Sequence, residues 1–86
     1  MDKVVVKELK AQGCGICQRF EEFWKSIEKD WPNVEFLEID MVTPEGQELI
    51  QKYQIFASPG IIINNELFQY GGFDKEKFIQ KLKELS

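Results

Sequence analysis

Two cysteines, Cys14 and Cys17, are the only ones in the chain, and two residues separate them. They follow the apolar run Val4-Val5-Val6 and open a stretch with helical periodicity. A Cys-x-x-Cys pair between a strand and a helix is typical of a dithiol that closes to a disulfide and reopens. The free N–H groups and positive dipole end of a helix start favour a thiolate at Cys14, the expected attacking sulfur. Cys17 lies one helical turn further on and is expected to release the resulting mixed disulfide.

A metal site and a structural bridge are the alternatives for such a pair. The chain has no histidine, which removes a Cys–His nucleophile pair and the usual zinc spacings. Two cysteines supply half of the four thiolates of an iron–sulfur cluster, so a cluster would need two copies of the chain. A structural bridge would stabilise little, because it closes a very short loop. We therefore expect disulfide exchange without a cofactor, and keep a cluster-bridged dimer or a redox-controlled adaptor as the non-enzymatic alternative.

Two further residues have types that suit this chemistry. Glu8 interrupts the apolar strand six residues before Cys14. A buried carboxyl there would have a raised pKa and could accept the proton of Cys17, whereas a solvated glutamate at a strand edge would have no such role. Pro59, in Ala57-Ser58-Pro59-Gly60, comes just before a strand. A cis bond there would aim backbone groups at the cysteines, although X-Pro bonds are usually trans.

Hydrophobic periodicity predicts four strands and three helices around these residues. The strands are expected at Val4–Leu9, Val34–Ile39, Ile61–Ile63 and Leu67–Tyr70. The helices are expected to begin near Ile16, after the cap Thr43, and after the cap Asp74, with Gly46 weakening the first turn of the second. The order β-α-β-α-β-β-α predicts an α/β fold in which a four-stranded mixed sheet is flanked by three helices.

Length and composition fit one domain that spans residues 1–86. Apolar residues make up 43% of the chain, which is enough for a core. The net charge is −4 and both signs are interspersed without a basic block, so neither nucleic acid nor a membrane is expected as a partner. The N-terminus is too short and too charged for a signal peptide, and we expect a cytoplasmic monomer.

These residues together resemble the thioredoxin-fold dithiol oxidoreductases, over the stretch from Val4 to Leu85. The apolar strand, the acidic residue, five residues and then Cys-x-x-Cys follow the thioredoxin pattern, with Glu8 at the position of that family's buried acid. The segment Tyr53-Gln54-Ile55-Phe56-Ala57-Ser58-Pro59 is similar to the thioredoxin segment that leads into a cis-proline. The resemblance therefore implies a thioredoxin fold and a cis bond at Pro59.

The chain also departs from thioredoxin. It lacks that family's leading strand and helix, and it has Gly13 and Ile16 where thioredoxins carry tryptophan and proline. The run Gly71-Gly72-Phe73-Asp74 is similar to the element with which glutaredoxins hold glutathione, but Ala11 replaces the glutaredoxin lysine. The closest description is a small thioredoxin-like protein with a glutaredoxin-length frame. Glutathione-linked disulfide reduction is therefore a second hypothesis, with glutathione as a possible partner.

The resemblance implies a thiol-disulfide oxidoreductase that reduces protein disulfides. In that function Cys14 attacks the client, Cys17 resolves the intermediate with Glu8 as proton acceptor, and the backbone of Ser58 beside Pro59 holds the client. The expected contact surface is an exposed rim formed by Gly13, Gly15, Ile16, Ala57 and Gly72. The implied partners are a disulfide-containing client protein and an upstream reductase. Ile16 offers the thiolate no stabilisation, which favours a reductant over an oxidant.

Overall fold

The predicted order of strands and helices is confirmed in the computed structural model, which describes residues 1–86. The elements are β1 (Val4–Lys10), α1 (Gly15–Ile27), β2 (Val34–Asp40), α2 (Pro44–Tyr53), β3 (Gly60–Ile63), β4 (Glu66–Tyr70) and α3 (Lys75–Leu85). A short 3-10 turn, Glu28–Asp30, follows α1 ahead of Pro32, as expected from a residue that disfavours helix before it. None of the three helices combines the length and the apolar character that a membrane span requires.

The four strands form one mixed sheet in the order β2-β1-β3-β4. The central strand β1 pairs in parallel with β2, where Glu8 lies opposite Glu38. It pairs antiparallel with β3, where Glu8 lies opposite Ile61, and β3 and β4 form the predicted antiparallel hairpin. The hairpin turns at Asn64-Asn65, both with positive φ, which asparagine tolerates better than most residues. Because β1 is central, the loop that carries the cysteines leaves from the middle of the sheet.

Helices cover both faces of the sheet and divide the core in two. On one face, α1 and α3 pack on β1 and β3 around Val6, Phe20 and Phe78, and Trp24 stacks on Phe36 with ring centroids 5.3 Å apart. On the other face, α2 packs on Leu9 and its neighbours Ile55 and Ile62. Strand alternation places Val4, Val6 and Glu8 of β1 towards α1. The carboxyl of Glu8 is therefore enclosed beneath the helix that carries the cysteines.

Local capping chemistry starts α2 and α3 where the sequence predicts. Thr43 Oγ1 accepts a hydrogen bond from Gly46 N at 3.1 Å, and Asp74 Oδ1 accepts one from Lys77 N at 3.0 Å. Gly46 does not weaken α2, because it is buried against the end of β2. A Cβ at this position would collide with the carbonyl oxygen of Asp40 and lie 2.9 Å from Met41 Cα. Glycine thus lets α2 begin directly against the preceding strand.

Candidate active site

Cys14 and Cys17 form a disulfide at the start of α1, with their Cα atoms 5.2 Å apart. Cys14 is the N-cap residue of the helix, and its Sγ accepts a hydrogen bond from Cys17 N at 3.0 Å. Gly13, with φ of +76°, closes the turn that brings the chain from β1 into the helix. Cys14 is half-buried, whereas Cys17 is only 1% exposed. Of the two sulfurs, that of Cys14 is therefore the one that a partner can approach.

A second loop, which leads into β3, lies against the disulfide. Ser58 Oγ donates a hydrogen bond to Cys14 Sγ at 3.3 Å. The Ser58–Pro59 peptide bond is cis, and Pro59 itself is buried, with its carbonyl accepting a hydrogen bond from Gly71 N at 2.9 Å. No hydrogen bond within the chain uses the backbone N–H or C=O of Ser58. This loop therefore has one backbone donor and one acceptor unused beside the reactive sulfur.

The residues of the predicted rim surround these two loops. Gly13, Gly15 and Ala57 are exposed, while Ile16 and Gly72 are half-buried. Ile16 and Gly72 line the same open groove of about 950 Å³ between α1 and the start of α3. Its remaining wall carries both charges and apolar groups, contributed by Arg19, Glu22, Phe23 and residues 73–76. The structure thus brings Ile16 and Gly72 together, although Ile16 lies in the first turn of α1 and Gly72 follows β4.

Glu8 is fully buried, which decides between the two interpretations left open by its position in the strand. It is 0% exposed, and no backbone N–H, hydroxyl or ammonium group of the chain donates a hydrogen bond to either carboxyl oxygen. Burial raises the pKa of Glu8 from 4.5 to about 8, assisted by a hydrogen bond with Glu21 and by the negative charges of Glu21 and Glu38. Two carboxyls can form such a bond only when one of them carries a proton. Glu8 is therefore mainly protonated at neutral pH.

Three residues that the sequence analysis did not single out surround Glu8. Carboxylate oxygens of Glu8, Glu21 and Glu38 lie within 4.8 Å of one another, a spacing that could hold a cation. The ammonium of Lys10 contacts two of the three carboxylates: Nζ lies 2.7 Å from Glu38 Oε1 and 3.2 Å from Glu21 Oε2. The hydrogen bond to Glu38 is the main reason that the pKa of Lys10 is raised above its usual range. The sequence did contain an indication that Glu21 faces the site, because Glu21 follows Cys17 by four residues and therefore shares its helix face.

An exposed aromatic pair also lies beside the Ser58 loop. Phe56 is 78% exposed and Tyr70 is 42% exposed, and their rings meet edge to face with centroids 6.1 Å apart. Phenylalanine is usually buried, so this exposure is unusual for its type. In the sequence, Phe56 is distinguished only as part of the segment that leads into Pro59. Its position between the buried residues Ile55 and Pro59 gave no indication of the direction of its side chain.

Comparison with known proteins agrees with this geometry. The thioredoxin family model matches residues 1–84. The thioredoxin of Pongo abelii is 30% identical over 90 residues, which cover 98% of this chain and 81% of that protein. The germline-specific thioredoxin Deadhead of Drosophila melanogaster is similar in structure, with a TM-score of 0.74, 27% identity, and coverage of 99% of this chain and 83% of its own. A thioredoxin f2 solved with ferredoxin:thioredoxin reductase has the same fold, with a TM-score of 0.72, 20% identity, and coverage of 96% and 77%.

A redox-active cysteine pair on this sheet defines a thiol-disulfide oxidoreductase of the thioredoxin fold. Since the family model extends over all but the last two residues, the chain belongs to the thioredoxin family.

Proposed function

We propose that this protein reduces disulfides in client proteins, with Cys14 as the attacking sulfur and Cys17 as the resolving one. The observation that carries the assignment is the asymmetry of the pair: Cys14 caps the helix and is accessible, whereas Cys17 is 1% exposed. The thiolate of Cys14 would attack one sulfur of the client disulfide. A bond then forms between Cys14 and that sulfur, and the other client sulfur leaves as a thiolate.

Hydrogen bonds at Cys14 Sγ support this role. Cys17 N and Ser58 Oγ already donate to this sulfur in the disulfide, and the same donors would stabilise the thiolate of the reduced protein. The N-terminus of α1 adds favourable partial charge at the same atom. These groups are contributed by two separate loops, which the sheet holds together through the pairing of β1 with β3.

The free backbone groups of Ser58 support a client bound in extended form. A client segment could pair with this N–H and C=O beside Pro59, in the manner of an added strand. The rim formed by Gly13, Gly15, Ile16, Ala57 and Gly72 would contact the residues around the client cysteine. Phe56 and Tyr70 extend that rim with aromatic surface, which suits contact with apolar client side chains.

Release of the client requires the second cysteine. Cys17 would attack Cys14, so that the disulfide of this protein forms and the client sulfur leaves reduced. The proton of Cys17 would pass to the carboxylate of Glu8, which lies in the enclosed space beneath α1. An upstream reductase would then return two electrons to the disulfide. The related fold solved with ferredoxin:thioredoxin reductase supports a reductase as the electron donor.

The proposed direction of electron flow is that of a reductant, acting in the cytoplasm. A histidine at the position of Ile16 would stabilise the reduced thiolate and favour an oxidant, and Ile16 offers no such charge. Equilibration with glutathione tests this directly. We expect the disulfide form to predominate in a buffer of about −220 mV, because a reductant gives up its electrons readily. A protein that stays mainly in the dithiol form there would be an oxidant.

Insulin reduction with dithiothreitol tests the function itself. The wild-type protein should accelerate the precipitation of insulin, and Cys14→Ser should not. Cys17→Ser should stall at the mixed disulfide, and the trapped partner then identifies the client. Ser26→Ala is a suitable control, since Ser26 bonds only to Phe23 O on the surface of α1. Equal rates for wild type and Cys14→Ser would refute the proposal.

Two alternatives have their own tests. The alternative partner is glutathione, for which the groove beside Ile16 and Gly72 offers the cations Arg19 and Lys75 among three acidic residues of the same wall. Activity with hydroxyethyl disulfide and glutathione should then be present, and should fall in Arg19→Ala. The cluster-bridged dimer predicts visible absorption bands and a dimeric mass for the freshly purified protein. We expect a colourless monomer.

A further inference from the structure

In the proposed function, Glu8 accepts the proton of Cys17, and the inference below rests on that role. Glu8 can accept this proton only after it has lost the one that it already carries. With a pKa of about 8, Glu8 is mainly protonated at pH 7 and cannot accept the proton of Cys17 in that form. It must first release its proton, and it must do so again in every catalytic cycle. Because Glu8 is 0% exposed, water does not reach its carboxyl directly. Another group must carry the proton between Glu8 and the solvent.

The unsatisfied oxygens around Glu8 identify that group. Both oxygens of Glu8 are buried without a donor, and so is Glu21 Oε2. Lys10 Nζ is 3.2 Å from that Glu21 oxygen but lies outside hydrogen-bond geometry with it. A proton on Glu8 would let one of its oxygens donate to Glu21 Oε2, which would give both of these atoms a partner. Carboxylate oxygens of Glu8 and Glu21 lie within 4.8 Å of one another, so Glu21 is an acceptor within reach of a proton on Glu8.

Exposure increases stepwise away from Glu8. The side chain of Glu21 is 19% exposed, that of Lys10 is 34% exposed, and that of Glu38 is 47% exposed. Lys10 Nζ donates hydrogen bonds to Glu21 Oε1 at 3.3 Å and to Glu38 Oε1 at 2.7 Å. Glu21 is thus the least exposed member of this series, and it has a carboxylate oxygen within 4.8 Å of the buried acid and a side chain that still reaches the surface.

We propose that Glu21 is the residue through which Glu8 exchanges its proton with solvent. Before resolution, Glu8 passes its proton to Glu21 and from there to water. Cys17 then attacks Cys14: the sulfur–sulfur bond of the pair forms, the bond to the client breaks, and the client leaves as a thiolate. The proton of Cys17 moves to the vacant carboxylate of Glu8. Glu21 acts only through Glu8, and its other oxygen, Oε1, accepts a hydrogen bond from Lys10 Nζ at 3.3 Å.

The two phases of the reaction with Ellman's disulfide separate these steps. The first aryl thiolate is released when Cys14 attacks, and the second when Cys17 resolves the mixed disulfide. We expect Glu21→Gln to leave the first phase unchanged. The second phase should slow by at least about tenfold at pH 7, which is less than the full factor of about 10²–10⁴ that positioned acid–base groups contribute. Small acids such as formate should restore part of the rate, and Glu21→Asp should restore more.

Electrostatics alone predicts the opposite result, which makes the test sharp. Removing the charge of Glu21 lowers the pKa of Glu8 and leaves more carboxylate ready to accept a proton. A second phase that is as fast or faster in Glu21→Gln, without dependence on formate, would therefore overturn the proposal. Glu38→Gln tests whether the more exposed Glu38, instead of Glu21, carries the proton. A second phase that slows in Glu38→Gln but not in Glu21→Gln would also overturn the proposal. Glu48→Gln, on the exposed surface of α2, is the charge-matched control.

The same experiment separates this inference from the proposed function. If wild-type protein shows no second phase, or if Cys17→Ser keeps one, the assignment of Cys17 as resolving residue fails and Glu21 is not at issue. If wild type resolves normally and only the Glu21 result differs from expectation, the proposed function stands and the proton route fails. Circular dichroism of each variant, with Glu21→Asp as the conservative replacement, checks that the fold is retained.

Discussion

Ser58 Oγ donates a hydrogen bond to Cys14 Sγ at 3.3 Å, although 44 residues separate the two in the chain. The bond joins the loop before β3 to the cysteine turn after β1. One loop follows β1 and the other precedes β3, and because these strands are antiparallel neighbours, both loops lie at the same end of the sheet. The reactive sulfur therefore depends on groups from both loops, and its reactivity should respond to a change in either.

Ser58→Ala should lower the fraction of Cys14 that is ionised in the reduced protein at pH 7. The thiolate would lose one of its two donors, and the attack on a small disulfide should slow by about three- to tenfold. Absorbance at 240 nm against pH measures the ionisation, and the first phase with Ellman's disulfide measures the attack. Ser26→Ala is the matched control on the surface. Superimposable titrations of wild type and Ser58→Ala would show that the hydrogen bond has no influence on the thiol.

Glu8 should make the oxidised protein less stable as the pH rises. The pKa of Glu8 in the folded protein is about 8 and lies above its ordinary value of 4.5, so the folded state holds a proton that the unfolded state has lost. The contribution is complete below about pH 4.5 and is lost as the pH rises towards 8, by about 1.4 kcal/mol per pH unit. Urea denaturation at pH 5, 6.5 and 8 measures the free energy of unfolding.

Glu8→Gln isolates this contribution, because glutamine has the shape of the protonated acid and does not titrate. The free energy of unfolding of wild type, relative to this variant, should fall across the pH range. A constant difference between the two proteins would mean that Glu8 has an ordinary pKa in the fold.

Gly46→Ala should destabilise the protein by about 2–3 kcal/mol, because the added methyl group meets backbone that cannot move aside. Thermal or chemical denaturation measures the loss. Gly72→Ala is the control, since nothing lies within 4 Å of a Cβ at that position and its effect should stay within about 0.5 kcal/mol. Similar losses for both variants would indicate that α2 can shift away from β2.

Phe56→Ser should weaken the reduction of proteins without affecting small disulfides. The side chain is 78% exposed, so stability should change by less than about 0.5 kcal/mol. If Phe56 contacts clients, the KM for insulin should rise several-fold while the rate with Ellman's disulfide stays the same. Val42→Ser is the control, because Val42 is similarly exposed, at 80%, and lies in the loop before α2. An equal KM for both variants would exclude Phe56 from the client surface.

The first residues of α2 and α3 were predictable from the sequence because capping depends only on neighbouring residues. Thr43 with Pro44 and Asp74 identify helix starts because a cap bonds within its own first turn. The burial of Glu8 was not predictable in the same way. Alternation separates the two faces of a strand only when one of them meets solvent, and β1 is covered on both, with Leu9 buried as well as Glu8.

The cysteine pair was evident in the sequence, but its surroundings depend on tertiary structure. The contact between Ser58 and Cys14 exists because β1 pairs with β3, and only the family resemblance indicated it. Glu21 was missed because a charged residue on a helix is usually solvated. Its orientation towards Glu8 follows from how α1 packs on the sheet, which the spacing from Cys17 suggests but does not determine.

The place of the tryptophans decides how this protein can be observed in solution. Gly13 stands next to the disulfide where thioredoxins carry tryptophan, and Trp24 lies seven residues beyond Cys17 along α1, about 10 Å away, stacked on Phe36. Trp31 packs against the same core. Indole fluorescence should therefore report the unfolding of the domain and respond little to reduction of the disulfide. Folding equilibria of the oxidised and reduced forms can then be compared with one optical signal, while the redox state is read from the thiols themselves.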